Sequence, residues 1–164
     1  MRVYIALGSN LGNREEYLRA AVRGLSERQV DITGTASVYS TAPRDVLDQP
    51  RFLNTAIEAD TTLSPQELLA TCLDIEQQNK RVRAAATNKG PRTLDIDIIF
   101  YGTESIRTPG LTIPHPRFAV RRFVLAPLAE IAANFVDPVS GKTITELLAH
   151  CPDDGEVLLI GRLL

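Results

Sequence analysis

The chain has 164 residues, 44% of them hydrophobic and 23% charged, with a formal net charge of −2. That size and balance suit one globular domain with a sizeable core. They offer no basic surplus for nucleic acid, and no apolar run reaches the roughly 20 residues of a membrane-spanning helix.

Residues 3–7 read as a buried strand, and nothing ahead of them has the layout of a secretory signal. A cytoplasmic location is therefore expected. Asn13 is placed to cap a helix, with Glu16 as the partner of a capping box. Leu18, Ala21, Val22 and Leu25 then recur at helical spacing. Residues 32–39 alternate like a strand, residues 40–51 form a loop with two prolines, and residues 52–61 read as another strand. Ser64-Pro65-Gln66-Glu67 combines a cap, a first-turn proline and a glutamate three residues after the cap, so a second helix starts there. Its predicted apolar face is Leu68, Leu69, Cys72, Leu73 and Ile75. Cys72 is thus expected to be a buried, reduced thiol, and Cys151 lies too far away for metal spacing. Residues 81–89 are charged or small and are expected to form a mobile loop. Residues 93–101 read as a strand ended by Gly102, and short helices follow near 122–131 and 144–150. This order predicts a single α+β domain over residues 1–164. Its core would be a ferredoxin-like antiparallel sheet with helices packed on one face, plus short helices in the C-terminal tail.

The 93–101 strand carries the chemistry. Asp95 and Asp97 occupy alternate positions in an apolar, β-branched run. On a strand they share one face, with Cα atoms about 6.5 Å apart, while Leu94, Ile96 and Ile98 take the other. Like charges at that spacing repel, and burial raises the cost. A hard cation such as Mg²⁺ relieves both problems. Arg92, just upstream, supplies an anion contact, which completes the parts of a phosphoryl-transfer site. A bare Asp-x-Asp also describes a solvated strand face, so the surrounding residues decide its weight.

The longer string Gly90-Pro91-Arg92-Thr93-Leu94-Asp95-Ile96-Asp97-Ile98-Ile99 resembles the signature of the 6-hydroxymethyl-7,8-dihydropterin pyrophosphokinases of folate biosynthesis. Tyr4-Ile5-Ala6-Leu7-Gly8-Ser9-Asn10-Leu11-Gly12, Tyr39-Ser40-Thr41-Ala42-Pro43, Gln49-Pro50-Arg51-Phe52-Leu53-Asn54 and Leu111-Thr112-Ile113-Pro114-His115-Pro116 are similar to further family segments in the same order. The resemblance implies transfer of the diphosphate of ATP to the pterin hydroxymethyl group, with release of AMP. It implies that Asp95 and Asp97 hold two Mg²⁺ ions, with Asp97, Arg81 and Arg92 catalytic. ATP contacts would come from Glu76, Arg83, Ile98, Thr112, His115 and Arg121. His115 sits between two prolines, which hold its backbone rigid. The pterin site would comprise Thr41, Ala42, Arg44, Phe52, Asn54 and Phe123, with the two phenylalanines on either side of the ring and the Asn54 amide on its amide-like edge. Arg81 would act as the 81–89 loop closes. The implied partners are ATP and a reduced pterin, with no nucleic acid or membrane, acting on a monomer.

Several assignments have rival readings: His115 as a plain loop histidine, Phe52 and Phe123 as core residues, and any single arginine as a solvated surface charge. Glu76 reads equally as a helix-surface charge, and Gly8-Ser9-Asn10 reads as a plain turn or as a pocket floor. Lys89, Gly110, Pro116 and Phe52 depart from residues frequent in the family, while the aspartate pair and Arg92 are intact. Lys89 and the alanine-rich stretch 84–86 would favour a binding protein without turnover. A different phosphotransferase on the same fold is the second rival, and Asn54 and Phe123 argue against it.

Overall fold

The amino-terminal strand lies inside the sheet. β1 (Arg2–Ser9) pairs antiparallel with β4 (Phe52–Thr61) on one side and with β5 (Asp95–Tyr101) on the other. The structure, a computed structural model, describes residues 1–42, 49–79 and 93–163. The expected loop at 81–89 and residues Arg44, Arg81, Arg83 and Arg92 lie outside them. The strand expected over 32–39 is two strands, β2 (Val30–Thr35) and β3 (Ser37–Thr41), both paired with β4. The break falls at buried Ala36, whose N–H still donates to the Ala56 carbonyl at 2.9 Å. An unpredicted strand, β8 (Val157–Arg162), adds to β3, giving the order β5-β1-β4-β3-β8 with β2 also on β4. A small hairpin of β6 (Ile106–Thr108) and β7 (Leu111–Ile113) was also not legible as strands.

Alternation along β1 divides the core in two. Val3, Ile5 and Leu7 face α1 (Arg14–Ser26) and α2 (Pro65–Gln78), meeting Leu18, Leu25, Leu68 and Ile75. Tyr4 faces the other way, toward α3 (Arg122–Ala132) and α4 (Ile144–Ala149), where Phe100, Phe118, Leu125 and Ile144 are buried. The Phe100 ring meets Phe118 at 4.9 Å and Phe135 at 4.6 Å between centroids. Helices on one face only is therefore corrected. The tail helices carry enough apolar surface, chiefly from Val124, Leu125 and Leu128, to cover the opposite face. Among the described residues no helix is long and apolar enough to cross a membrane.

The helix starts follow their caps. Asn13 accepts the Glu16 N–H at 3.3 Å, but the Glu16 carboxylate turns to Arg23 at 2.8 Å and leaves the box half-made. On α2 the box is complete, with Glu67 N donating to Ser64 Oγ at 3.1 Å and Ser64 N to Glu67 at 2.8 Å. Ser64→Ala is expected to cost about 1 kcal/mol. That is a fall of roughly 2–4 °C in melting temperature for a chain of this length, read by thermal unfolding. The apolar face of α2 needs one correction. Leu73 is 43% exposed, and Glu76 is buried instead.

β5 contains an irregularity. Ile98 lies opposite Ile5 but Phe100 lies opposite Tyr4, so Ile99 is an extra residue, a β-bulge. The bulge explains how Ile98 and Tyr101, three apart, share the core beneath α1 and α2.

Candidate active site

Sheet register assembles the site. Asp95 lies opposite Gly8, Gly8 opposite Asn54, and Asn54 opposite Tyr39. Directly opposed residues share a face, so one row crosses four strands. Asp97 lies opposite Ala6 in the next row. Thr41 and Phe52 oppose each other two residues farther along β3 and β4. Asp95, Asp97, Asn54, Phe52 and Thr41 therefore share the face that α3 partly covers.

Gly8 is the floor of this row. A Cβ there would lie 2.9 Å from Asn54 Nδ2 and 3.8 Å from the Phe52 ring. Glycine lets the Asn54 amide lean across β1. Thr41 Oγ1 donates to Asn54 Oδ1 at 2.6 Å and fixes the amide orientation. Asn10 has a different task. Its Nδ2 donates to Gln49 Oε1 at 2.8 Å and to the Pro50 carbonyl at 3.1 Å, tying β1 to the approach of β4. The sequence reading missed Tyr39. Its hydroxyl donates to Glu130 of α3, which also accepts from Ser37 N at 3.1 Å. Burial, and then Glu130, raise the Tyr39 hydroxyl to about 12.

Asp95 and Asp97 are half-buried. Among the described residues no group of three or more His, Cys, Asp or Glu is gathered for a metal. The two aspartates alone fit a hard cation. Both are carboxylates on one face, opposite the small residues Gly8 and Ala6.

Glu76 is not a surface charge. It is 2% exposed, and its Oε2 accepts the N–H of Ile96 at 2.7 Å. Ile96 lies between the two aspartates, and among the described residues β5 is an edge strand whose outward N–H groups need partners. Glu76 thus braces the backbone beneath the carboxylate pair. Cys72, one helical turn before it, is buried and free. Burial, then Glu76 and Asp97, push its thiol up to about 12, so it is unreactive. The Ile98 side chain belongs to the core, leaving only its backbone to meet a ligand.

His115 approaches β5 from outside. Its N–H donates to the carbonyl of bulged Ile99 at 3.1 Å, and its Nδ1 accepts from Arg117 N at 3.2 Å. Burial, then Arg121, lower the imidazole to about 4, against an opposing pull from Asp95. It is neutral at pH 7, with the proton on Nε2. The folded state resists protonating this ring. Its contribution to stability is fully present above the unfolded value of about 6.5 and is lost as pH falls toward about 4. In ligand-free protein, urea midpoints should fall less steeply between those pH values for His115→Gln than for wild type. Equal slopes would exclude this linkage.

The Arg121 guanidinium lies 5.6 Å from the centroid of the Phe123 ring, at the start of α3. Phe52 and Phe123 are both half-buried, as is Thr112 on β7, while Ala42 is exposed.

Residues 4–133 match the family described as 7,8-dihydro-6-hydroxymethylpterin-pyrophosphokinase. The chain is 50% identical over 129 residues to the 2-amino-4-hydroxy-6-hydroxymethyldihydropteridine pyrophosphokinase of Bacillus subtilis, covering 78% of this chain and 76% of that one. It is 42% identical over 151 residues to the folic acid synthesis protein fol1 of Pneumocystis carinii, covering 92% of this chain but only 20% of that protein. The chain thus spans about a fifth of that relative's length. Its fold is similar to that of wild-type HPPK-DHPS from Plasmodium falciparum, with a TM-score of 0.70 at 15% identity, over 90% of this chain and 44% of that one. With the sequence match running through β1, β4, β5 and α3, the chain belongs to the 7,8-dihydro-6-hydroxymethylpterin-pyrophosphokinase family.

Proposed function

We propose that this chain transfers the diphosphate of ATP to the hydroxymethyl group of 6-hydroxymethyl-7,8-dihydropterin, releasing AMP, as a step of folate biosynthesis. The observation that carries this reading is the row Asp95–Gly8–Asn54, with Asp97 beside it. It puts a carboxylate pair and an oriented amide on one face, roughly 10 Å apart across two strand spacings. A pterin whose amide-like edge meets Asn54 would direct its hydroxymethyl arm toward the aspartates. Phe52 and Phe123 supply aromatic faces for the ring, and Thr41, Ala42 and Arg44 complete that end.

The pterin hydroxyl attacks the β-phosphorus while AMP departs, and charge builds on the phosphate oxygens. Two Mg²⁺ ions held by Asp95 and Asp97 would supply neutralising charge there. Arg121 offers a planar fork to phosphate oxygens, and neutral His115 offers an N–H donor without adding charge. Thr112 and the Ile98 backbone enter as ATP contacts through the family resemblance. Arg81, Arg83 and Arg92 enter this reading through the family resemblance, as does closure of the 81–89 loop. Glu76 serves by bracing β5. The strand order β5-β1-β4, flanked by β2 and β3, supports a ferredoxin-like core within one domain over residues 1–164. A cytoplasmic location belongs to the same reading, with ATP and the pterin as partners and no nucleic acid or membrane.

An AMP-release assay tests the reaction. AMP should appear in step with pterin diphosphate and require both substrates and Mg²⁺. Tight binding of both ligands without AMP would instead mark a binding protein. A second experiment addresses the aromatic face. Phe123→Ala should weaken pterin binding by about 1–3 kcal/mol, by analogy with bases stacked on aromatic rings. ATP binding should change far less. Equal weakening of both ligands in calorimetry would make Phe123 a core residue only.

A further inference from the structure

Among the described residues the ladder between β3 and β4 runs only from Tyr39 opposite Asn54 to Thr41 opposite Phe52. Thr41 and Phe52 therefore stand at its open end, on the face that carries Asn54. Ser40, one residue earlier, points to the other face, where it lies opposite the core residue Leu53.

On that far face the Arg51 guanidinium joins the strand ends. Its Nε donates to Ser40 Oγ at 2.8 Å and its Nη2 to the Ser40 carbonyl at 3.0 Å. Its Nη1 lies 3.2 Å from Oε1 of Glu156, the residue just ahead of β8. The Arg51 backbone is itself anchored. Its carbonyl accepts from Arg14 Nη1 of α1 at 2.9 Å, and the Pro50 carbonyl accepts from Asn10 at 3.1 Å. A planar fork can serve a hydroxyl, a carbonyl and a carboxylate together, which a compact ammonium does less well. The Ser40 bonds carry most of the effect. The Glu156 side chain is 59% exposed, and an ion pair so open to water adds little.

We propose that Arg51 is a positioning residue for pterin recognition. By holding the end of β3 against β4 it fixes Thr41, whose 2.6 Å bond orients the Asn54 amide. Without the fork, the last pair of the ladder is free to fray. Arg51 acts from the face opposite the ring, through Thr41 and Asn54. This role rests on the proposed pterin site and adds to it a side chain that does not line the pocket.

Calorimetry with the pterin alone and with ATP alone, beside NMR spectra of ligand-free protein, tests the role. Arg51→Ala should weaken pterin binding about tenfold and leave ATP binding within about twofold. Ser40→Ala, which removes one acceptor and leaves the carbonyl, should weaken pterin binding about threefold, and it carries the test if Arg51→Ala does not fold. Thr41→Val should cost at least as much as Arg51→Ala, and adding Arg51→Ala to it should cost little more, because both act through one amide. The Asn54 side-chain amide signals of ligand-free protein should move in Arg51→Ala as they do in Thr41→Val. Unchanged pterin affinity, equal weakening of both ligands, full additivity with Thr41→Val or unmoved Asn54 signals would each overturn the role. A wild-type protein that binds no pterin would overturn the proposed function instead, and the ligand-free Asn54 signals would still decide whether Arg51 sets that amide.

Discussion

Asp97→Ala, and equally Asp95→Ala, is expected to lower turnover at saturating Mg²⁺ by at least about a hundredfold, or about 2.7 kcal/mol of transition-state stabilisation. The reason is geometric. These two carboxylates lie opposite Gly8 and Ala6, on the side of the sheet where the Asn54 amide lies. Their removal deletes no core contact, because the apolar residues of the same segment, Leu94, Ile96 and Ile98, pack on the other side. It also relieves the repulsion between the pair, so melting without metal should hold or rise. Steady-state rates with matched unfolding curves separate the two effects. A variant retaining more than about a tenth of the wild-type rate, a loss under about 1.4 kcal/mol, would remove the metal-binding role from this pair.

Gly8→Val is expected to lower pterin affinity by about ten- to a hundredfold, because it forces the Asn54 amide off its line across β1. Even the first carbon of a side chain would sit 2.9 Å from Asn54 Nδ2. The amide cannot swing to a new orientation without losing its 2.6 Å bond from Thr41. Losing hydrogen bonds to the ring edge, with groups left unsatisfied, costs about 1–3 kcal/mol. ATP binding should change less, since the clash falls on the Asn54 amide. Calorimetry with each ligand alone is the check, and unchanged pterin affinity would mean that Asn54 does not read the ring.

Much of this site was legible as local pattern. The two-residue period that puts Asp95 and Asp97 on one face is a property of any strand, and the cap at Ser64 needs only four residues. What the sequence left open required knowing which strands are neighbours. No local rule says that Gly8 stands between Asp95 and Asn54, because that row joins residues more than forty positions apart through register. Glu76 was within reach. It follows Leu68 and Cys72 at four-residue steps, on the stripe that α2 buries, but its charge argued for solvent until the Ile96 N–H was found waiting for it. β8 was missed because Leu158, Leu159 and Ile160 show no alternation between a wet and a dry face. The apolar run Ile98-Ile99-Phe100 likewise hides its bulge, since a continuous run looks the same with or without one extra residue.

Ile99 is spare as far as strand length is concerned. If it were deleted, Ile98 would still meet Ile5, Phe100 would still meet Tyr4, and every side chain from Asp95 to Tyr101 would keep its face. The ladder would become more regular. What would vanish is the carbonyl to which the His115 N–H is fastened. The residue therefore works as a mooring post. A chain one residue shorter here could fold well and keep its paired aspartates, yet leave the His115 loop adrift from the strand it serves.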